Sequence, residues 1–83
     1  MNLTDLPNIG PVLAENLRAV GVETPEQLRE LGAREAFFRI RVQRDSAACF
    51  HQLTALAGAE KGVRKTELTS EEKRDLRTFF DSL

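Results

Sequence analysis

The stretch Leu6-Pro7-Asn8-Ile9-Gly10-Pro11 decides the fold, because it predicts a tight turn that leads directly into a helix. Pro7 fixes one φ angle, and Pro11 suits the first position of a helix. Asn8 and Gly10 both tolerate left-handed backbone, and if Gly10 adopts a positive φ, Gly10→Ala should cost more than about 1 kcal/mol. Apolar residues then follow at helical spacing, at Leu13, Leu17 and Val20.

A Gly-hydrophobic-Gly turn that opens a helix is typical of helix-hairpin-helix modules, whose exposed amides can hold a phosphate. The hairpin residues Asn8, Ile9, Gly10 and Pro11 are therefore candidate contacts for a phosphate or a partner. Asn8 replaces the first Gly, Pro11 lacks an N–H, and Val12 stands where a basic residue would help. With no cation nearby in the sequence, a phosphate contact would be weak at physiological salt. The alternative is that the turn only starts a helix and anchors Ile9 in the core.

Apolar periodicity and capping signals predict an all-α chain, a compact bundle of about five short helices. The predicted helices run from about Pro11 to Val20, from the Thr24 cap to Gly32, from near Ala33 to the polar break at 44–46, from about Ala47 to Ala59, and onward from the Thr69 cap. The alternation at 39–42 is also typical of a strand, but no partner strand is visible, which favours helix. The whole chain, 1–83, is expected to be a single domain.

Several local signals add specific expectations. Thr24 with Gln27, and Thr69 with Glu72, predict capping boxes. Gly58 inside the fourth helix predicts a close crossing of another backbone. Asp45 or Ser46 is the expected N-cap of the fourth helix, which should be the most buried one. All five phenylalanines lie in the last three helices, so most of the core mass is expected there: Phe37, Phe38, Phe50, Phe79 and Phe80.

The net charge of −1 argues against a strongly basic nucleic-acid binder, but its distribution is uneven. Residues 1–33 carry −3, residues 34–65 carry +4, and residues 66–83 carry −2. The middle segment therefore offers a candidate basic surface for a partner or nucleic acid, formed by Arg34, Arg39, Arg41, Arg44, Lys61, Arg64 and Lys65. An acidic protein partner is favoured over DNA. The alternative is a solvated surface of ordinary local ion pairs, each worth little.

The composition does not favour catalysis, a metal site or a cofactor. Cys49 and His51 are the only Cys and His, too few for a zinc cluster, and no acid–base pair or phosphate-binding loop is recognisable. Cys49 is expected to be a small core residue. A lone cysteine excludes an internal disulfide and fits a reducing cytoplasm, and no apolar run approaches the length of a membrane span.

Taken together, these stretches resemble the C-terminal domain of the TfoX/Sxy family of bacterial competence regulators. The matching residues are Leu6-Pro7-Asn8-Ile9-Gly10-Pro11, Leu17-Arg18-Ala19-Val20-Gly21-Val22, Thr24-Pro25, Leu28, Leu31-Gly32-Ala33-Arg34-Glu35-Ala36-Phe37, Arg39-Ile40, Cys49-Phe50, Leu53, Ala55-Leu56, Gly58-Ala59, Gly62-Val63 and Leu68. The resemblance implies a helix-hairpin-helix type of fold and a role in regulating genes for DNA uptake. Relatives carry a further N-terminal domain with a β-sheet, so this chain looks like the C-terminal module standing alone.

The leading hypothesis is a non-enzymatic regulatory module that binds a macromolecule, a protein rather than DNA, through the hairpin and the basic middle helices. The alternative is direct, sequence-independent binding of DNA or RNA through the hairpin amides. A purely structural accessory domain is a third reading of the same sequence.

Overall fold

The chain folds into five α-helices and two short 3₁₀ turns, with no β-strand, in a computed structural model that describes all 83 residues. The helices are α1 (Pro11–Ala19), α2 (Pro25–Leu31), α3 (Ala33–Gln43), α4 (Phe50–Lys61) and α5 (Ser70–Asp81), and the 3₁₀ turns are Leu3–Asp5 and Lys65–Glu67. The predicted all-α class is confirmed. Residues 39–42, for which a strand was the alternative, lie within α3.

The core is one cluster of 18 buried apolar residues, and α4 lies at its centre. α4 packs against α2, α3 and α5, and the side chains of Leu53 and Leu56 are fully enclosed. Thr54 is also buried, and its hydroxyl donates to the carbonyl of His51 on the preceding turn at 2.9 Å. The prediction that the fourth helix is the central one is confirmed.

The expected concentration of core mass in the aromatic helices is wrong. Only Phe37 is fully buried; Phe38 is 45% exposed, and Phe50, Phe79 and Phe80 are half-buried. Eight of the 18 core residues precede α3: Leu3, Leu6, Ile9, Ala14, Leu17, Val20, Val22 and Leu28. A domain of this size has a high ratio of surface to volume and can enclose few large rings, so aliphatic side chains fill its centre.

The helix caps follow the sequence closely. At α5 the capping box is complete, because Thr69 Oγ1 accepts from the Glu72 amide at 3.1 Å and Glu72 Oε1 accepts from the Thr69 amide at 2.9 Å. At α2, Thr24 Oγ1 accepts from the Gln27 amide at 3.1 Å. Gln27 Oε1, however, accepts from the amide of Glu23, one residue earlier than a capping box requires.

The start of α4 differs from the prediction, which placed its N-cap in the polar break at 44–46. Cys49 is the N-cap, and its side chain is exposed, so the expected core position for this cysteine is also wrong. Asp45 instead organises a turn, since Oδ1 accepts from the Ala47 amide at 3.0 Å and the Asp45 carbonyl accepts from the Ala48 amide at 3.0 Å. This turn buries Ala48, and α4 therefore begins later in the sequence than predicted.

The hairpin before α1 takes its left-handed geometry from Asn8, not from Gly10. Asn8 has φ +70°, whereas Gly10 is the extended N-cap of α1 with φ −91°. Of the two residues that tolerate left-handed backbone, only Asn8 therefore adopts it. Asn is one of the few residues with a side chain that visits this region at modest cost.

Candidate functional site

The hairpin is held from the inside by the side chain of Asn8. Its Nδ2 donates to the carbonyls of Ala55 at 3.3 Å and Val63 at 3.0 Å, and its Oδ1 accepts from the amide of Lys65 at 3.1 Å. One amide group thus joins the hairpin, α4 and the turn that follows α4. The side chain of this candidate contact residue is engaged within the fold.

Gly58 makes room for this arrangement. A Cβ atom at Gly58 would lie 2.7 Å from Asn8 Nδ2, 2.8 Å from the Val63 carbonyl oxygen and 3.2 Å from the Lys65 nitrogen. The close crossing predicted from the sequence is confirmed: the backbone that passes Gly58 is that of residues 63–65, and the hairpin contributes the Asn8 side chain. We call Asn8, Gly58 and the backbone of Val63 and Lys65 the Asn8 clamp.

The outer edge of the hairpin, residues 10–12, is exposed, whereas Ile9 is buried in the core. The two amides of this edge, at positions 10 and 12, make no hydrogen bond within the chain. The Asn8 clamp brings a second segment, which carries the exposed side chains of Arg64 and Lys65, against Asn8 of the hairpin. The fold therefore supplies cations next to the hairpin that its sequence neighbourhood lacks.

Two of the predicted basic residues on α3 lie against α5. The guanidinium of Arg34 is 5.7 Å from the centre of the Phe79 ring, and that of Arg41 is 5.1 Å from the centre of the Phe80 ring. Arg77 of α5 adds a third contact of this kind, 5.6 Å from the Phe80 ring centre. Arginine side chains of α3 and α5 thus lie over the half-buried rings of Phe79 and Phe80 in cation–π contacts.

The other predicted basic residues lie elsewhere. Arg39 donates to Glu35 Oε2 at 3.2 Å and reaches the carbonyl of Val20 after α1, while Arg44 donates to Asn16 Oδ1 of α1. Lys61 pairs with the carboxylate of Glu72 on α5, and Arg64 and Lys65 lie beside the hairpin. The seven candidates are thus divided among three places: the α5 side, the α1 side and the hairpin.

A groove of about 560 Å³ lies between α3, α4 and α5. Half of its lining residues are apolar, including Leu31, Phe38, Ala57, Leu76 and Phe79. Its charged lining residues are Arg34, Glu35, Glu60, Lys61, Glu72 and Asp75, which carry a net charge of −2. Sequence reasoning did not single out this groove as a site.

Most charges of the groove are engaged within the fold. Glu35 pairs with Arg39, and Lys61 pairs with Glu72. Glu60 Oε1 accepts from the amide of Ala33 at 2.6 Å, which satisfies a free donor at the start of α3. Asp75 makes no ion pair. The groove therefore combines an apolar floor with a rim whose unpaired carboxylate is that of Asp75.

A signal for the groove was present at positions 37 and 38. Adjacent residues on a helix point about 100° apart, so two neighbouring phenylalanines do not both face the same core. Phe37 is fully enclosed, and Phe38 consequently lines the groove with 45% of its surface exposed.

The family model of the TfoX C-terminal domain matches residues 1–80. This chain belongs to the TfoX C-terminal domain family. The family is one of regulatory domains. The resemblance inferred from the sequence is confirmed, and the helix-hairpin-helix description fits the observed fold.

Solved structures similar to this TfoX C-terminal domain come from Listeria monocytogenes. One is an uncharacterised protein in a triclinic crystal form, 43% identical, with a TM-score of 0.95, covering 99% of this chain and 92% of that chain. A protein of unknown function in a tetragonal form is also 43% identical, with a TM-score of 0.93 and 98% of both chains covered. No curated protein matches the chain.

The TfoX match includes both regions described above, since the hairpin begins at residue 6 and the last groove residue is Phe79. The longest helices of this domain, α4 and α5, have 12 residues each, and no helix meets the length and hydropathy of a membrane span.

Proposed function

We propose that this TfoX C-terminal domain is a non-enzymatic, cytoplasmic regulatory module for genes of DNA uptake, and that it acts by binding a protein partner and not DNA. Family membership supports the regulatory role. The observation that carries the choice of partner is the groove between α3, α4 and α5, whose floor is apolar and whose lining has a net charge of −2. Such a surface suits an apolar protein segment and repels a phosphate backbone.

The placement of the basic residues supports the same choice. Arg34 and Arg41 lie on phenylalanine rings, Arg39 and Arg44 contact residues of α1 and its C-terminal turn, and Lys61 has a carboxylate partner. A strong DNA interface needs several cations facing one backbone, because each neutralised phosphate contributes to affinity. These side chains are divided among different contacts, and this argues against a strong DNA interface.

Nucleic-acid binding through the hairpin is the second candidate, and one observation favours it. The backbone of Lys65 is bonded to the Asn8 side chain of the hairpin, the side chains of Arg64 and Lys65 are exposed, and the amides of residues 10 and 12 make no hydrogen bond within the chain. Backbone amides at the start of a helix, together with two cations, form a small site for a phosphate. The resulting interface would be limited to about two phosphate contacts, with a shallow dependence on salt, about −2 in log K against log salt.

Fluorescence anisotropy with labelled duplex DNA distinguishes these two functions. We expect no binding at low salt in the range where non-specific DNA binders respond, with Kd of about 10⁻⁴ to 10⁻⁶ M. Binding that weakens as salt rises, and that is lost in Arg64→Glu/Lys65→Glu, would establish the second candidate. The double variant Lys73→Glu/Arg74→Glu on α5 is the matched control, because it changes the net charge equally at an exposed place away from the hairpin.

Affinity capture from a lysate of the source cells, before and after nuclease treatment, tests the protein partner directly. We expect the captured proteins to be the same in both samples, because the contact is made to protein. Recovery that disappears with nuclease would show that nucleic acid bridges the interaction and would contradict the proposed function.

A further inference from the structure

The groove leaves aromatic surface exposed that the core does not use. Phe38 is 45% exposed, and Phe79 is half-buried with Arg34 lying over its ring. Leu31, at the end of α2, is half-buried in the same groove. Exposed apolar side chains that gather in one concave place, and not singly on a convex surface, are characteristic of interaction sites.

The size of the groove suits one face of a helix. Its volume of about 560 Å³ accommodates a few large side chains, and its walls are themselves helices. An amphipathic helix laid in such a groove inserts residues spaced three or four apart, with its polar side facing solvent. A backbone of sugar and phosphate has no apolar groups to fill the floor.

The charge of the groove predicts which type of residue lies on the polar side of the bound helix. Glu35 and Glu72 have cationic partners, Glu60 is engaged with the α3 amide, and the groove's cation Arg34 lies over the Phe79 ring, whereas Asp75 makes no ion pair. The exposed carboxylate of Glu71 lies on α5, one turn before Asp75. A Lys or Arg of an incoming segment would meet this acidic edge of α5.

From these contacts we propose that the groove binds a basic amphipathic helix of a partner protein. The helix inserts an apolar side chain between Phe38 and Phe79 and directs a Lys or Arg, one turn away, to Asp75. This inference rests on the proposed function and names the partner's chemistry. It assigns recognition to α3, α4 and α5, and leaves the hairpin as a structural element.

Two designed helical peptides serve as probes, identical in their leucine positions and carrying either Lys or Glu on the polar face. The Lys peptide should bind more tightly than the Glu peptide, and Phe38→Ser should weaken its binding at least about tenfold. Val42→Ser is the matched control, because Val42 is an apolar residue of α3 that is 66% exposed and does not line the groove. Asp75→Lys should reduce or reverse the preference for the Lys peptide.

Amide chemical shifts measured during the titration locate the bound peptide. Shifts confined to 31–38, 57–61 and 72–79 support the groove, and the unperturbed spectrum of Phe38→Ser without peptide shows that the fold is intact. Shifts at 8–12 and 63–65, equal binding of both peptides, or no binding of either would overturn the inference. So would a dimer of this chain that Phe38→Ser dissociates, since the occupant would then be a second copy. Nuclease-resistant capture is independent of these results, so the proposed function can stand when the groove inference fails.

Discussion

The hairpin and the groove of this domain differ in how far their side chains are engaged within the fold. At the hairpin, a polar side chain, Asn8, uses both ends of its amide group to bond three backbone groups, two in part-buried bonds and one in an exposed bond. At the groove, rings such as Phe38 and Phe79 remain partly exposed beside a cluster of charges. Several directional bonds fix the first region in one geometry, whereas the second retains surface that a ligand can cover. The comparison indicates that the hairpin, which is conspicuous in the sequence, has a structural role, and that the less conspicuous groove is available for binding.

The same contrast exists between two neighbouring residues of α3, and it gives the largest expected effect. Phe37→Ala should destabilise the domain by about 4 kcal/mol, because a fully enclosed ring leaves a cavity. Phe38→Ala should cost less than about 1 kcal/mol, since 45% of that side chain already faces solvent. Urea unfolding followed by circular dichroism measures both values. Similar losses at the two positions would show that the groove side is part of the core.

Removal of the Asn8 side chain should produce the next largest effect. Asn8→Ala should cost about 3 kcal/mol, because it leaves the carbonyl of Val63 without a donor and puts alanine at φ +70°. Asn8→Gly removes the same hydrogen bonds but tolerates the backbone angle, so it should cost about 1 kcal/mol less. The difference between the two variants reflects the strain at alanine, reduced by the larger backbone entropy that glycine loses on folding. A loss below about 1 kcal/mol in Asn8→Ala would mean that the clamp does not hold the hairpin.

The fold was predictable where short-range signals decide it. Thr69 and Glu72 are three residues apart and form their capping box as expected, and the helical period of the apolar residues places α3 and α5 correctly. The N-cap of α4 was not predictable in the same way. Asp45 had two local uses, a helix cap or a turn, and the burial of Ala48 favours the turn.

The sites depend on contacts between distant residues, which explains why the sequence predicted them incompletely. Asn8 and Lys65 are 57 positions apart, and Ala33 and Glu60 are 27 apart. Gly58 predicted that another segment passes close to α4 but not which segment, because the absence of a Cβ does not identify the neighbour. Likewise, the sequence shows the arginines of α3, but it does not show that Arg34 and Arg41 lie over the rings of Phe79 and Phe80.

A smaller loss of stability than at Asn8 is expected for the glycine within the Asn8 clamp. Gly58→Ala gains about 1 kcal/mol in helix propensity but forces a methyl group to within 2.7 Å of Asn8 Nδ2 and 2.8 Å of the Val63 carbonyl. Overpacking of this kind costs about 3 kcal/mol, which gives a net loss of about 2 kcal/mol. Because the new methyl group pushes against the hairpin, exchange of the Ile9 amide, which donates to the Leu6 carbonyl, should accelerate as well.

Gly10→Ala is the matched control for this change, and it also tests which residue shapes the turn. A Cβ at Gly10 meets no atom within 4 Å, and the φ of −91° is open to alanine, so the stability should change by less than about 0.5 kcal/mol. A clear loss at Gly10 together with a neutral result at Gly58 would reverse the assignment, because the turn would then depend on glycine at its tip and not on the asparagine held from within. Loss at Gly58 alone requires the opposite conclusion, that the hairpin is positioned by its contact with α4.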